Sequence, residues 1–127
     1  MSSESKLKIG NTEFYKLIKD FLNDLFVTFP EYKNVVGDEM LLFYTTNTVE
    51  DIDETIVEKV FDYCKQVFPE RFFDILYKNE DIFDNKEINT MFYPNIDFKD
   101  LWNNEISDKT KDVLWKYLQI TLFTIVN

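Results

Sequence analysis

Carboxylates are the residues present in excess that could do chemistry. The chain holds 24 Asp and Glu, a single cysteine and no histidine. Glu50, Asp51, Asp53 and Glu54 stand close together, a density that could hold Ca²⁺ or Mg²⁺. An EF-hand loop, however, needs a glycine at its sixth position and a glutamate at its twelfth, and this cluster has no such glycine. Acidic residues at a helix start are favoured by the macrodipole alone, and that is the reading adopted. Residues 79–89 have the acidic density of a calcium loop and also lack the glycine. A glycosidase-like acid pair is defined by a folded distance that sequence does not carry. Without histidine there is no Ser-His-Asp triad, no Cys-His pair and no His-bearing zinc site. Two isolated glycines, Gly10 and Gly37, build neither a P-loop nor a dinucleotide-binding turn. Cys64 falls on an apolar stripe and reads as a buried structural thiol. No catalytic, cofactor-binding or metal-binding residue is therefore assigned, no cofactor is expected, and the chain is read as not an enzyme.

The second group with functional potential is aromatic. Phe92, Tyr93, Phe98, Trp102 and Trp115 crowd the C-terminal third. Trp and Tyr are enriched at interface hot spots, so these five are the candidate partner-binding residues. Core is the stronger reading, because a small domain must bury its aromatics to be stable. The net charge of −10 repels phosphate backbones and anionic lipid surfaces. The 14 Lys and Arg never form a run. Nucleic acid and membrane are accordingly not expected as partners; a protein partner is, and a homo-oligomer is open.

Helices must position these residues. In 107–126, Leu114, Leu118, Leu122 and Val126 recur every fourth residue, and Val113, Tyr117 and Ile125 widen the stripe, which is helical spacing. Lys109, Asp112, Lys116 and Gln119 lie opposite, and Ser107 is placed to cap. Beyond Gln119 the polar face fades, so the helix is expected to be buried on several sides and central to the fold. Residues 12–29 carry a second stripe of Phe14, Leu17, Ile18, Phe21, Leu22 and Leu25, capped by Asn11 or Thr12 and ended by Pro30. Residues 48–68 form a third, with Thr48 and Asp51 as a capping box and Ile52, Ile56, Val57, Val60, Phe61, Cys64, Val67 and Phe68 inward. Pro69 opens a fourth helix over 69–78, with Phe72, Phe73 and Leu76 inside. Short helices are expected at 30–36 and from Asp97 to Trp102. The apolar run 38–44 fits a strand or a helical turn; helix is preferred, with Asp38 as cap, because no partner strand is evident. Pro94-Asn95 marks a turn. Phe29-Pro30-Glu31 is echoed by Phe68-Pro69-Glu70, read as two independent uses of one helix break because a solenoid needs a third copy.

With two Gly and three Pro, a turn-rich β-sandwich or barrel is disfavoured. The fold class is all-α: a compact bundle of about four main helices plus short connecting helices. Residues 1–10 are expected to be a disordered N-terminus and 11–127 a single helical domain, either by itself or as the N-terminal domain of a longer protein. With a lone cysteine and no basic-then-apolar leader, a soluble protein of the cytoplasm is expected.

The stretches FPERFFDILYKNEDIF at 68–83, NIDFKDLWN at 95–103 and ISDKTKDVLWKYLQITLF at 106–123 resemble a family of uncharacterised proteins of nucleocytoplasmic large DNA viruses, the giant viruses of algae and protists. Residues Leu114 to Gln119 carry the most specific part. The family has no assigned activity, so the resemblance implies no site residues. It implies a viral protein of the host cytosol or the virion. The expected function is a non-enzymatic protein-interaction module. The rivals are a carboxylate-based metal-dependent enzyme and a virion structural component.

Overall fold

The structure, a computed structural model, describes residues 9–126. It is all-α. Among the described residues six α-helices are joined by turns and short 3-10 segments: α1 (Ile9–Thr28), α2 (Asp38–Thr45), α3 (Glu54–Val67), α4 (Phe72–Leu76), α5 (Phe98–Trp102) and α6 (Asp108–Val126). Of the ten N-terminal residues read as disordered, 1–8 lie outside the described residues, and α1 already includes Ile9 and Gly10. Contacts cluster into two compact units that divide between Asp62 and Tyr63, within α3.

In the first unit α1 buries the expected stripe of Phe14, Leu17, Ile18, Phe21, Leu22 and Leu25, and Tyr15 with it. Asn11 is buried inside the helix rather than capping it, because the chain is already helical two residues earlier. Pro30 opens a 3-10 turn, Pro30–Asn34. Gly37 then adopts φ 87°, a left-handed conformation that glycine enters without a Cβ penalty. Gly37, not Asp38, is therefore the N-cap of α2, and Asp38 sits in the first turn, where its charge suits the dipole. The C-terminal carbonyls of α2 are held from α1. Lys19 Nζ donates to the carbonyls of Phe43 (3.4 Å), Tyr44 (2.8 Å) and Thr46 (2.8 Å). Tyr15 Oη donates to Thr46 O at 2.6 Å. A helix end needs such donors for its orphan carbonyls. Phe14 packs edge-on against Phe43 and Phe61.

The expected start of the third helix moves. Thr48 and Asp51 do bond, with Asp51 N donating to Thr48 O and Thr48 Oγ1 to Asp51 Oδ2 at 2.8 Å, but they close a separate turn. Asp53 caps α3 instead, its Oδ1 accepting from Thr55 N at 2.9 Å. Two local caps compete for one segment, and the one nearer the apolar stripe begins the helix.

In the second unit the expected helix over 69–78 is broken into a 3-10 turn, Phe68–Arg71, and the short α4. Both Phe-Pro-Glu sequences thus end an α-helix by opening a 3-10 turn, as two uses of one helix break would. Gln119 of α6 donates to the carbonyls of Ile75 and Leu76, 3.2 Å each, closing the end of α4. The irregular stretch 79–97 is fastened by side chains. Tyr63 Oη donates to Met91 O (2.7 Å), Cys64 Sγ to Phe92 O (3.7 Å), and Thr90 Oγ1 and Lys99 Nζ reach Asp97 and Ile88 O respectively. Asn95 holds φ 64°, and Ile96 N donates back to Tyr93 O at 3.1 Å, the turn signalled by Pro94-Asn95. Asp97 caps α5 through Lys99 N at 3.0 Å, and Ser107 caps α6 through Thr110 N at 3.1 Å.

α6 buries Leu114, Trp115, Leu118, Thr121, Leu122 and Ile125. It organises the second unit and not the whole chain. Its apolar end is covered on one side only, because Ile120, Phe123 and Val126 are 39%, 46% and 49% exposed. Val126, read as the last member of the inward stripe, is one of the exposed residues. Among the described residues no helix is long and apolar enough to cross a membrane.

Candidate functional site

The acidic cluster does not assemble into a ligand cage. Asp53 is committed to capping α3 and Asp51 accepts from Thr48. Glu50 and Asp51 are exposed, and Glu54 is half-buried at the helix start. Among the described residues no group of three or more His, Cys, Asp and Glu is placed to hold a metal ion.

Cys64 is fully buried beneath the 88–98 stretch, and burial pushes its thiol well above the ordinary value. A thiol is a nucleophile only as thiolate, so this one is inert. Burial also raises Tyr93. Its hydroxyl lies 2.6 Å from Thr121 Oγ1, and Thr121 gives its own proton to Tyr117 O at 2.8 Å. Thr121 has one proton, so Tyr93 is the donor of that pair.

The five candidate partner-binding aromatics do not form a surface patch. Phe92, Tyr93, Phe98 and Trp115 are buried in the second unit. Phe92 and Tyr93 both pack on Phe68 and on Phe98. Trp115 joins Phe83 and Trp102 in a three-ring cluster, with Phe83 stacked on Trp102 at 4.2 Å and 21°. Trp102 alone keeps partial access. The physical reason is the thinness of α4 and α5. Helices of five residues cover little surface, so the ring system from 83, 92, 93, 98, 102 and 115 must supply the core volume that longer helices would have supplied.

The aromatics that do reach solvent are others. Phe73 and Tyr77, one helical turn apart around α4, are 68% and 73% exposed, and their rings lie parallel within 9° at 6.4 Å between centroids. On α6, which α4 packs against, Ile120, Phe123 and Val126 lie along the outward side. Sequence reasoning assigned Phe73 to the inside of a ten-residue helix. The signal that could have shown otherwise is the doublet Phe72-Phe73: adjacent residues on one helix do not share a face.

A second feature lies in the first unit. A cavity of about 430 Å³ is lined by Tyr15, Lys16, Lys19 and Asp20 of α1 and by Asn47, Thr48, Val49 and Glu50 of the connection to α3. Two of its lining residues are held in place, because Lys19 and Tyr15 are tied to backbone carbonyls. Burial, and then the Asp51 and Glu50 carboxylates, hold the Tyr15 hydroxyl above its ordinary value. It is an anchor at neutral pH, not a base.

Comparison with known proteins finds no family model, no curated protein and no solved structure that matches the chain.

Proposed function

We propose that the chain is a non-enzymatic helical module that docks another protein through the apolar surface on α4 and α6. The supporting observation is the exposure of Phe73, Tyr77, Ile120, Phe123 and Val126 on two helices that pack together. Large apolar side chains grouped on the surface mark interaction sites more often than scattered ones do. Phe73 and Tyr77 lie in a parallel arrangement and present two aromatic rings side by side to a partner. The net charge of −10 favours a basic partner over a second acidic copy, since opposite fields steer association and like fields oppose it. The resemblance to giant-virus proteins makes infected cells and virions the material in which to look.

The test is affinity capture with the parent chain and with a Phe73→Ser, Tyr77→Ser, Phe123→Ser variant. The variant should melt within a few degrees of the parent, because exposed residues contribute little to stability. It should lose a basic protein that the parent retains in stoichiometric amount. Equal retention by both chains would remove this surface from the proposal.

A further inference from the structure

The connection between α2 and α3, residues 46–53, holds a feature that the docking surface does not use. Thr48 is exposed in this connection. Carboxylates follow it at Glu50, Asp51, Asp53 and Glu54, and no lysine or arginine occurs from 34 to 58. Thr48 lines a cavity together with Lys16, Lys19, Asp20 and Glu50. We propose that Thr48 is a phosphorylation site for an acid-directed serine/threonine protein kinase.

Three observations carry this. The first is access: Thr48 is outside the helices, in a turn whose side-chain bond from Oγ1 to Asp51 Oδ2 lies at the surface. The second is recognition. A kinase whose substrate groove is basic selects peptides by complementary charge, and the segment after Thr48 has four carboxylates and no opposing cation. Thr28, the last residue of α1, and Thr55, the second of α3, also have an acid three residues on, Glu31 and Glu58, but both are in helical backbone, whereas Thr48 is not. The third is room. A phosphothreonine carries about −1.5 to −2 charges. The 430 Å³ cavity beside Thr48 accommodates it without displacing core. The lining carries Lys16 and Lys19 against Asp20 and Glu50, and Lys19 is held by three carbonyls, so the cavity offers space and no net positive charge.

In the reaction Thr48 Oγ1 forms a bond to the γ-phosphorus of a nucleoside triphosphate. The bond from that phosphorus to the bridging oxygen breaks, the diphosphate leaves, and the hydroxyl proton passes to the general base of the kinase. The Thr48-to-Asp51 hydrogen bond is lost, because the phosphorylated oxygen has no proton to donate.

The experiment uses the full chain, an acid-directed and a base-directed kinase, and ATP, with the modified residue located by peptide mass spectrometry. The acid-directed kinase should add one phosphate, on Thr48, and the base-directed kinase none. Thr48→Val should abolish incorporation and Thr48→Ser should keep it. The double change Glu50→Gln, Asp51→Asn should slow it about tenfold or more, the lower end of what a charged segment does to association. No incorporation in the parent, a phosphate mapped to another residue, or an unchanged rate in the double variant would each overturn the proposal. Site mapping on the parent decides the assignment even where a variant alters the turn.

Discussion

Trp102 shows how a single residue can carry a cost within a well-packed cluster. Its Nε1 is buried with no hydrogen-bond partner among the described residues, while its ring stacks on Phe83 and meets Trp115 edge-on. A buried unsatisfied donor costs ~1–3 kcal/mol, comparable to what the lost ring area of a Trp→Phe change removes. Trp102→Phe should therefore stay within about 1 kcal/mol of the parent in urea unfolding, whereas Trp115→Ala should cost ~3–5 kcal/mol as a buried aromatic truncation. A large loss for Trp102→Phe would mean that its N–H is satisfied by water. Cys64 and Tyr93 set the response to alkali. Burial raises both above their ordinary values of 9.0 and 10.0. Below about pH 9 the thiol is protonated folded and unfolded, and its contribution is fully present. Above that pH the unfolded chain ionises and the folded chain resists, so stability falls as pH rises, by up to about 1.4 kcal/mol per pH unit for each group. The melting temperature should decline from about pH 9 upward, Cys64→Ala should delay the onset toward pH 10, and native Cys64 should resist alkylation at pH 8.

At the scale of elements, α6 has two faces with different duties. Leu118 and Leu122 are fully buried, and Leu118→Ala or Leu122→Ala should each cost ~2–5 kcal/mol, the range for truncating a buried leucine. Lys116→Ala should stay within about ±0.5 kcal/mol. Ile120→Ser, on the outward side, should cost far less than either leucine change. Thermal melting of the four variants orders them, and an Ile120→Ser loss equal to that of Leu122→Ala would show the outward face to be covered. The neighbouring α4 has only five residues, and its end is closed by Gln119. Gln119 is thus a polar residue of the α6 surface stripe whose bonds are tertiary.

At the scale of the whole molecule, charge and helix content were legible in the sequence, and burial was legible only where a stripe was long. The first unit, residues 1–62, holds 13 Asp and Glu against 6 Lys, a net −7; the second holds 11 against 8 Lys and Arg, a net −3. The acidic field is therefore concentrated in the half that contains the Thr48 connection. The all-α class followed from three apolar stripes of 3.6-residue period and scarce turn residues, because periodicity is a local property of the chain. The caps at Asp97 and Ser107 and the breaks at Pro30 and Pro69 followed for the same reason: their bonds span a few residues. The start of α3 was misplaced because Thr48 and Asp53 both offer local caps, and only the packing of Val57 and Val60 selects between them. The fate of the aromatics was not local at all. Phe92, Tyr93, Phe98 and Trp115 are core, and Phe73 and Tyr77 are surface, although all six are equally apolar in the text. Where short helices leave volume to fill, which rings fill it depends on residues far apart in sequence, such as Gln119 with Ile75 or Tyr93 with Thr121. The sequence by itself determined helices, their breaks and the acidic charge; the tertiary structure alone decided which apolar residues remain in water, because exposure is set by what the rest of the chain covers.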